Sequence, residues 1–401
     1  MKKLIKQQVY KDPLYGYIHV DYELIKQLIN STLFQRLRRI RQLSGVQMVF
    51  HGAEHSRFSH SLGVYEIANR FLTVPDIQKT LNQRAQLVFL SAALLHDIGH
   101  GAYSHAFEDI FGVNHEKIGA ELIVKNQELR QILDTIDDSF ANDISSVLKK
   151  EGKFPIIEQL ISSQLDVDRL DFLERDAYFT GAAYGHIDLD RLIRVLYIKD
   201  GQVVFKISGI HAIENYLISR YHMYWQVYYH PVARAYEVIL EKIYQRVKDL
   251  LISGFVFSGN VDPLKNVIEN PSDLDNYIGI DDFYINGLIS TFTKSSDHIL
   301  KDLSLDFMNR HIWGYINDTE ENQEKIKEIK NKFKKEELKY FTTYRTVENS
   351  TYKDDDVEYG NQIFILLENG SISTLKEQSK IIESLMLTGV KKDPKFFYRK
   401  I

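Results

Sequence analysis

The chain has 401 residues, of which 44 % are hydrophobic and 26 % charged, with a formal net charge of −5 and no cysteine. This composition excludes a disordered or fibrous chain and suffices for a large buried core. Because cysteine is absent, disulfides, iron–sulfur clusters and thiolate zinc sites are excluded, and any metal must be bound by histidine and carboxylate. The negative charge makes nucleic acid an unfavourable main partner.

The first residues and the apolar segments indicate where in the cell the protein is located. Met1 to Lys6 contains too few apolar residues for a secretory signal peptide. Ala85–Leu95, the longest apolar stretch, is well below the ~20 residues that span a bilayer. We therefore expect a cytoplasmic protein with no membrane partner.

Helical spacing of apolar residues dominates up to about residue 240. In chain order it predicts three helices. The first has one buried face, formed by Leu87, Leu90, Ser91, Leu94 and Leu95. The second opens with Ile156, Ile157, Leu160 and Ile161, and the third is marked by Ile213, Leu217, Tyr221 and Tyr224. The Asp200-Gly201 pair between two apolar segments predicts a two-residue hairpin.

The last third of the chain has a different pattern. Helical spacing fades between Ser253 and Asn270, where we place a domain boundary. Lys325–Lys339 predicts one charged amphipathic helix. An apolar segment before Asn369-Gly370, with Ile372 after it, predicts strand, turn and strand.

Histidines are concentrated in one part of the chain, since seven of the fourteen lie between His51 and His115. Clustered imidazoles beside carboxylates are the donor set of a divalent metal site. The alternative is that each of these histidines simply occupies a polar turn. The concentration favours a metal site.

The segment from Leu94 to Gly101 is the most specific feature of this region. An apolar helix runs directly into His96-Asp97 and is then interrupted by Gly99 and Gly101. A buried imidazole and carboxylate left unpaired would be costly, and coordination to a metal would remove that cost. His96 and His100 share a face if the helix continues that far.

A second polar group surrounds His60. Ser59 is the predicted N-cap of a helix that carries Leu62, Ile67 and Phe71 on its apolar stripe. His60 then lies in the first turn with Arg57 just before it, near the helix end that attracts phosphate oxygens. The alternative interpretation makes Arg57 a surface residue and His60 a capping group.

The third polar group runs from Asp166 to Asp176. On a helix, Asp166 points toward the core, whereas Asp168, Phe172 and Asp176, with Arg169 beside them, form another face. That face offers two carboxylates, a guanidinium and an aromatic ring. A solvated, salt-bridged helix is an equally good interpretation of the same spacing.

Taken together, these strings resemble a known family. His60, His96-Asp97 and Asp168 match the H…HD…D signature of the HD phosphohydrolase superfamily. The flanking strings resemble its dNTP triphosphohydrolase branch; they are Phe34–Leu43, Arg57–Gly63, His96–His100, Ala102–His105, His115-Glu116 and Tyr228–His230. The similarity covers about residues 9 to 235, and ordered agreement of several motifs is specific.

The resemblance implies a mainly α fold, with an HD-domain helical bundle and a smaller α+β C-terminal region. It implies a regulatory nucleotide site in residues 1–50 and a catalytic core in residues 51–250. Residues 251–401 are then expected to serve assembly or regulation.

The resemblance also implies the chemistry. His60, His96, Asp97 and Asp168 would bind one divalent metal per subunit, and this donor set does not distinguish Mn, Fe, Mg, Ni and Zn. A dNTP, accompanied by a further Mg²⁺, would be cleaved at its 5′ ester to deoxynucleoside and inorganic triphosphate. By similarity, His105 protonates the leaving oxygen, Glu108 (often Asp in the family) orients His105, and His115 and His100 complete the acid–base and phosphate contacts.

Eight positions match substrate contacts of the family: Gln42, Leu43, Arg57, Arg169, Phe172, Asp176, Arg220 and Tyr228. The three arginines match phosphate contacts, a role that suits guanidinium groups. Gln42, Leu43 and Tyr228 match sugar contacts, where close packing at C2′ would exclude a ribose hydroxyl. Phe172 stands where the family often has tyrosine.

Members of this branch are commonly tetramers activated by nucleotides bound between subunits. Val9, Lys11, Asn30, Gln35 and Arg38 match that regulatory region. We therefore expect a homo-oligomer, a tetramer by resemblance, with GTP or a dNTP as activator. Lys11 replaces a frequent Asn and Asn30 replaces an Asp, so the activating base is not specified.

Two alternatives stay open at this point. An HD phosphodiesterase or pyrophosphohydrolase acting on another nucleotide would keep the metal ligands without needing the sugar contacts. A nucleotide-sensing protein with a vestigial site is the other alternative, and the presence of all four metal ligands argues against it.

Overall fold

The computed structural model describes residues 2–349, 352, 362–387 and 389–400, without the side chains of residues 105, 106 and 109. The first eleven helices are α1 (Glu23–Asn30), α2 (Thr32–Arg36), α3 (Arg57–Phe71), α4 (Pro75–Thr80), α5 (Gln83–Leu95), α6 (His105–Phe111), α7 (His115–Lys125), α8 (Gln127–Leu133), α9 (Phe140–Leu148), α10 (Pro155–Ile161) and α11 (Val167–Thr180). The later ones are α12 (Leu189–Arg194), α13 (Ile210–Met223), α14 (Pro231–Ile252), α15 (Asp262–Glu269), α16 (Leu274–Ile278), α17 (Asp282–Phe292), α18 (His298–Met308), α19 (Gln323–Lys330), α20 (Lys335–Phe341), α21 (Leu375–Gln378) and α22 (Lys380–Leu387).

Nine short strands complete the described part of the chain: β1 (Lys3–Asp12), β2 (Gly16–Tyr22), β3 (Leu196–Lys199), β4 (Gln202–Lys206), β5 (Gly314–Asn317), β6 (Thr342–Asn349), β7 (Phe364–Leu366), β8 (Ile372–Thr374) and β9 (Lys391–Tyr398). They form a β1–β2 hairpin, a four-stranded sheet in the order β3-β4-β7-β8 and a three-stranded sheet in the order β5-β9-β6. The predicted fold class, mainly α with a smaller α+β C-terminal region, is confirmed.

Helix α5 lies at the centre of the helical core. Its N-cap is Asn82, whose side chain accepts a hydrogen bond from the Ala85 backbone N–H at 2.9 Å. Every residue from Leu87 to Leu95 is buried, because α3, α9 and α10 pack around this helix. The end of α5 therefore delivers His96 and Asp97 into the interior.

The two predicted hairpins are present. Asp200 and Gly201 both have positive φ (51° and 76°), as a tight two-residue turn between β3 and β4 requires. Strands β7 and β8 pair antiparallel around Asn369-Gly370. Strand β7 also pairs parallel with β4, so the C-terminal hairpin extends the sheet that begins in the core.

Two helix predictions were wrong in their bounds. Lys325–Lys339 forms parts of two helices, α19 and α20, because the helix is interrupted at residues 331–334, where Phe333 is buried. The second helix restarts at Lys334, whose backbone N–H donates to Glu337 Oε2 at 2.8 Å. Ser59 is not an N-cap, since α3 begins at Arg57 and the Ser59 hydroxyl donates to the Ser56 carbonyl at 2.7 Å.

The segment of fading helical spacing after Ser253 still contains α15, which buries Leu264 and Val267 in the common core. Within the described ranges, none of the helices combines the length and the apolarity that a bilayer crossing needs.

Candidate active site

Three helices bring the four predicted metal ligands together. His60 lies in the first turn of α3, His96-Asp97 directly follow α5, and Asp168 lies in the first turn of α11. His60 Nε2 is 3.0 Å from Asp168 Oδ1 and 3.7 Å from Asp97 Oδ2. His96 Nε2 is 3.3 Å from Asp97 Oδ1 and 3.5 Å from Asp168 Oδ1.

The donor set fits a divalent cation. His96 Nδ1 donates to the Ala93 carbonyl at 2.9 Å, so its lone pair is on Nε2. That Nε2 atom is buried, has no hydrogen-bond partner and faces the two carboxylates. Ligand atoms of His60, His96 and Asp97 lie within 4.8 Å of one another. A cation between them would satisfy the buried nitrogen and neutralise the carboxylates.

The electrostatics of the cluster also favour positive charge at its centre. Burial opposes protonation of His60, but hydrogen bonds to Asp168 and Asp171 raise its pKa to about 10. Burial opposes ionisation of Asp97, but Arg57 and the neighbouring histidines hold its pKa well below the ordinary value. The carboxylates thus stay ionised and draw a proton or a cation to the imidazoles.

A second group of histidines adjoins this cluster through Asp97. His100 Nε2 is 3.2 Å from Asp97 Oδ1, and the His100 and His115 rings stack at 3.7 Å. Glu108 Oε1 lies 3.1 Å from His100 Nδ1 and 2.8 Å from His115 Nδ1. Burial and the nearby Arg57 lower the pKa of His100 to about 3, so its ring is neutral near pH 7. The side chain of His105 lies outside the described part of the structure.

Gly99 explains how His115 reaches this group. A Cβ at Gly99 would lie 2.1 Å from the His115 carbonyl oxygen and 2.4 Å from the Gly119 nitrogen. Only glycine therefore lets the loop after α5 pack against the first turns of α7. Arg36 supports the same loop by donating to the His100 carbonyl at 2.8 Å.

Arg57, a predicted phosphate contact, also pairs with a predicted metal ligand. Its Nη1 donates to Asp97 Oδ2 at 2.5 Å and its Nε to Ser104 Oγ at 2.8 Å. Ser104 has a positive φ of 49°, which is uncommon for a residue with a side chain. The loop thus stores backbone strain beside the cluster.

A buried chain of charges behind His60 was not found by sequence reasoning. His60 Nδ1 donates to Asp171 Oδ2 at 2.8 Å, and Asp171 accepts two further bonds from Arg175 at 2.8 and 3.0 Å. Arg175 Nη1 in turn donates to Asp12 Oδ2 at 2.9 Å. The available signal was an acid and an arginine four residues apart on the predicted helix.

A cavity of about 640 Å³ opens onto the histidine–aspartate cluster. Of the predicted site residues, it is lined by Gln42, Leu43, Arg57, His60, Asp97, His100, His115, Asp168, Arg169, Phe172, Asp176 and Tyr228. Residues not predicted also line it, among them Tyr224, Arg234 and the β6 segment from Arg345 to Val347. The cavity volume is in the range of small-molecule sites.

Asp176 is held rigidly in the wall of this cavity. Its Oδ2 accepts from the Tyr228 hydroxyl at 2.6 Å, and its Oδ1 lies 2.7 Å from His55 Nε2. His55 is itself buried and stacks on Phe179 at 4.6 Å. His55 lies in the histidine-rich part of the chain but was not predicted as a site residue, because it belongs to none of the quoted motifs.

Arg169 and Arg220 differ in how they relate to the cavity. Arg169 lines it and lies 3.3 Å from Asp166, the capping residue of α11. Arg220 donates to the side chain of Gln164 at 3.0 Å and to its carbonyl at 3.2 Å. The residues that line the cavity in the described ranges do not include Arg220.

The five predicted regulatory residues lie at the surface of the N-terminal region. Val9, Lys11, Asn30 and Arg38 are exposed, and Lys11 Nζ lies 4.2 Å from the Tyr17 ring centre. Gln35 is half-buried and accepts from Arg38 Nε at 2.8 Å. The structure thus joins Gln35 and Arg38 directly.

Comparison with known proteins adds independent findings. The model of the HD domain matches residues 57–176, and that of the HD associated region matches residues 187–253. An uncharacterized protein, YwfO of Bacillus subtilis, is 40 % identical over 99 % of this chain and 93 % of its own length. A deoxynucleoside triphosphate triphosphohydrolase SAMHD1 homolog of Dictyostelium discoideum is 25 % identical over 80 % of this chain and 62 % of its own length. The crystal structure of a phosphohydrolase from Bacteroides thetaiotaomicron superposes with a TM-score of 0.87 at 30 % identity, covering 98 % of this chain and 100 % of that one.

Proposed function

Because the chain belongs to the HD-domain phosphohydrolase family, we propose that it hydrolyses deoxynucleoside triphosphates to deoxynucleoside and inorganic triphosphate in a metal-dependent reaction. The observation that carries this proposal is the cavity of about 640 Å³, which has the His60–Asp168 cluster in its wall. Cationic and imidazole groups surround that cluster, whereas Leu43, Phe172 and Tyr228 offer an apolar wall. The cationic part of the wall suits a phosphate chain, and the apolar part suits a sugar with its base.

A divalent cation bound by His60, His96, Asp97 and Asp168 would polarise the α-phosphoryl oxygen and lower the pKa of the attacking water. Arg57 and Arg169 line the cavity and would bind phosphate oxygens, as guanidinium groups do well. By resemblance Arg220 would be a third phosphate contact, but it donates to Gln164 at 3.0 Å and does not line the cavity in the described ranges.

Proton transfer falls to the second histidine group. His100, with its pKa lowered to about 3, is a neutral hydrogen-bond partner near pH 7. His115 and Glu108, 2.8 Å apart, form an acid–base pair beside it. His105, at the start of α6, is proposed on the family resemblance as the acid for the leaving 5′ oxygen, with Glu108 orienting it.

The residues proposed to select a deoxyribose also line the cavity. Asp176 and Tyr228 form one rigid hydrogen-bonded unit at 2.6 Å, suited to a sugar hydroxyl. Gln42 and Leu43 would pack at C2′ and leave no room for a ribose hydroxyl. Phe172, which contacts the Tyr228 ring at 6.1 Å between centroids, would support the sugar through its ring alone.

The same proposal includes regulation. Val9, Lys11, Asn30, Gln35 and Arg38 would bind an activating GTP or dNTP, and the active form would be a homo-oligomer, a tetramer by resemblance. The exposed Lys11 and Arg38 supply positive charge for a phosphate chain.

The His96→Ala variant tests whether the cluster catalyses hydrolysis. We expect loss of turnover with nucleotide binding retained, because the cavity keeps its arginines while the metal loses a ligand. His51→Ala is the matched control, since His51 is exposed in the loop before α3. A wild-type protein that binds nucleotide yet turns over none with any divalent ion would contradict the proposal and indicate a sensor.

A further inference from the structure

We propose that Asp12 in the N-terminal hairpin is a positioning residue for the metal ligand His60, acting through Arg175 and Asp171. The inference deepens the proposed function, and rests on it, because it gives the hairpin that carries two of the five proposed regulatory residues, Val9 and Lys11, a physical route to the metal site. Asp12 touches neither the cavity nor the ligand cluster, so its effect must pass through other side chains.

The route is a continuous chain of short contacts. Asp12 Oδ2 accepts a hydrogen bond from Arg175 Nη1 at 2.9 Å. Arg175 also donates hydrogen bonds to both carboxylate oxygens of Asp171, at 2.8 and 3.0 Å. Asp171 Oδ2 accepts from His60 Nδ1 at 2.8 Å. The bidentate contact fixes the plane of the Asp171 carboxylate, and that carboxylate fixes the tautomer and the ring orientation of His60.

The hairpin contributes a second group to the same chain. Tyr15, in the turn between β1 and β2, donates its hydroxyl to Asp171 Oδ1 at 2.7 Å. Asp12 also holds that turn, since its Oδ1 accepts from the Leu14 and Tyr15 backbone N–H groups at 2.9 and 3.2 Å. The turn of the hairpin therefore encloses the Asp171–Arg175 pair from one side.

Burial makes these contacts consequential. The side chains of Arg175 and Asp171 are 0 % exposed, and that of Asp12 is 6 % exposed. A buried guanidinium that loses one of its two carboxylates cannot turn to water instead, so it shifts toward the partner that remains. That partner is Asp171, and any rotation of its carboxylate turns the His60 ring away from Asp97 and Asp168.

The position of Asp12 in the strand links this chain to regulation. Lys11 directly precedes it in β1, and Val9 lies two residues before Lys11. A nucleotide that binds Val9 and Lys11 and moves the strand would displace Asp12 with it. The effect would reach His60 without any contact between nucleotide and metal.

Titration of the full-length, metal-stripped protein with Mn²⁺ tests the inference. Asp12→Asn keeps the shape of the side chain and an oxygen for the turn, but removes the charge opposite Arg175. Loss of partners around metal-ligating histidines typically costs about 10–100-fold in metal affinity, and we expect about tenfold weaker Mn²⁺ binding for this more remote position. Asp21→Asn is the control, because Asp21 is exposed on the other strand of the hairpin, and its Mn²⁺ affinity should equal that of the wild type.

Tyr15→Phe supplies a second variant in case Asp12→Asn does not fold, since it removes only the hydroxyl that reaches Asp171. Its Mn²⁺ affinity should fall in the same direction and by less. Wild-type Mn²⁺ affinity in folded Asp12→Asn, or in Tyr15→Phe if Asp12→Asn does not fold, would overturn the inference. The titration contains no nucleotide, so absence of dNTP cleavage would refute the proposed function and leave this result standing.

Discussion

Asp166 and Asp168 are two residues apart and have different surroundings. Asp166 caps α11, accepting from the Arg169 and Ser163 backbone N–H groups, both at 2.7 Å. Asp168 points instead toward His60 and His96. Asp166 is buried, as a core-facing residue should be, but its backbone is extended (φ −137°, ψ 171°) because it is the N-cap and not part of the helix, so capping rather than helical spacing separates it from Asp168.

The two aspartates should therefore give different phenotypes. Asp168→Ala should lose bound metal and hydrolysis together, because it removes a ligand. Asp166→Ala should chiefly lower the free energy of unfolding, by about 1–2 kcal/mol as for other lost N-caps. Metal content, dNTP turnover and urea unfolding measured on both variants would show this difference. An exchange of the two phenotypes would refute the assignment of Asp168 as metal ligand and Asp166 as helix cap.

Gly63 is a residue whose importance only the structure reveals. A Cβ at this position of α3 would lie 1.9 Å from Asp171 Oδ1 and 2.3 Å from Arg175 Nη2. The glycine makes room for the buried ion pair behind His60. In the sequence it is one more small residue within a helical pattern.

We expect Gly63→Ala to destabilise the protein and weaken its metal binding, because the methyl group displaces the Asp171 carboxylate. Gly287→Ala is the matched control. Gly287 also lies inside a helix, α17, and a Cβ there has no neighbour within 4 Å, so alanine should stabilise by about 0.5–1 kcal/mol. Thermal unfolding with and without Mn²⁺ measures both effects. Equal behaviour of the two variants would contradict the packing argument.

Among the secondary-structure elements, α17 connects the C-terminal region to the segments that surround the cavity. Its first residue, Asp282, accepts from the Arg41 backbone N–H at 2.9 Å and from the Tyr103 N–H at 2.8 Å. One carboxylate thus binds the backbone at Arg41, next to the cavity residue Gln42, and the backbone of the loop that follows His96-Asp97. Burial raises the pKa of Asp282 to about 6.

This raised pKa predicts a pH dependence of stability. The folded protein holds the Asp282 proton more tightly than the unfolded chain, so the contribution of this group is fully present below pH 3.8 and is lost as the pH rises through 6. The unfolding free energy of the wild type, relative to Asp282→Asn, should fall by about 2 kcal/mol between pH 4 and pH 7. Urea unfolding of both proteins across this range measures it, and a constant difference would show that Asp282 does not titrate there.

The predicted elements succeeded where local patterns were strong. The apolar run that became α5, and the Asp200-Gly201 turn, depend on neighbours in sequence, and both are present. The start of α3 and the break after α19 depend on what each residue packs against. Phe333 ends one helix because it is buried, which its charged neighbours do not reveal.

An irregular turn in the wall of the cavity is a second feature that local sequence patterns do not predict. Helix α13 continues into a π-helical turn, Tyr224–Tyr228, which brings Tyr224 and Tyr228 to the cavity. Such turns often occur at functional sites. Apolar periodicity predicts the helix, but it carries no signal for the extra residue in the turn.

In the whole molecule, the last third of the chain contributes to the wall of the cavity. Strand β6 contributes Arg345 to Val347 to the cavity wall, and Arg234 of α14 donates to the Arg345 carbonyl at 3.1 Å. From the sequence this region was expected to serve assembly or regulation. Its contact with the cavity arises from pairing between segments far apart in the chain, which no local pattern encodes.

Analysis of the products formed from the four dNTPs is the decisive test of triphosphohydrolase activity. The full-length protein loaded with Mn²⁺ would be incubated with each dNTP, with and without GTP or dGTP, and the products resolved by phosphorus NMR and mass spectrometry. We expect deoxynucleoside and inorganic triphosphate in equal amounts, with no cleavage in His96→Ala. Release of pyrophosphate or orthophosphate, with a deoxynucleoside mono- or diphosphate as the other product, would contradict this expectation.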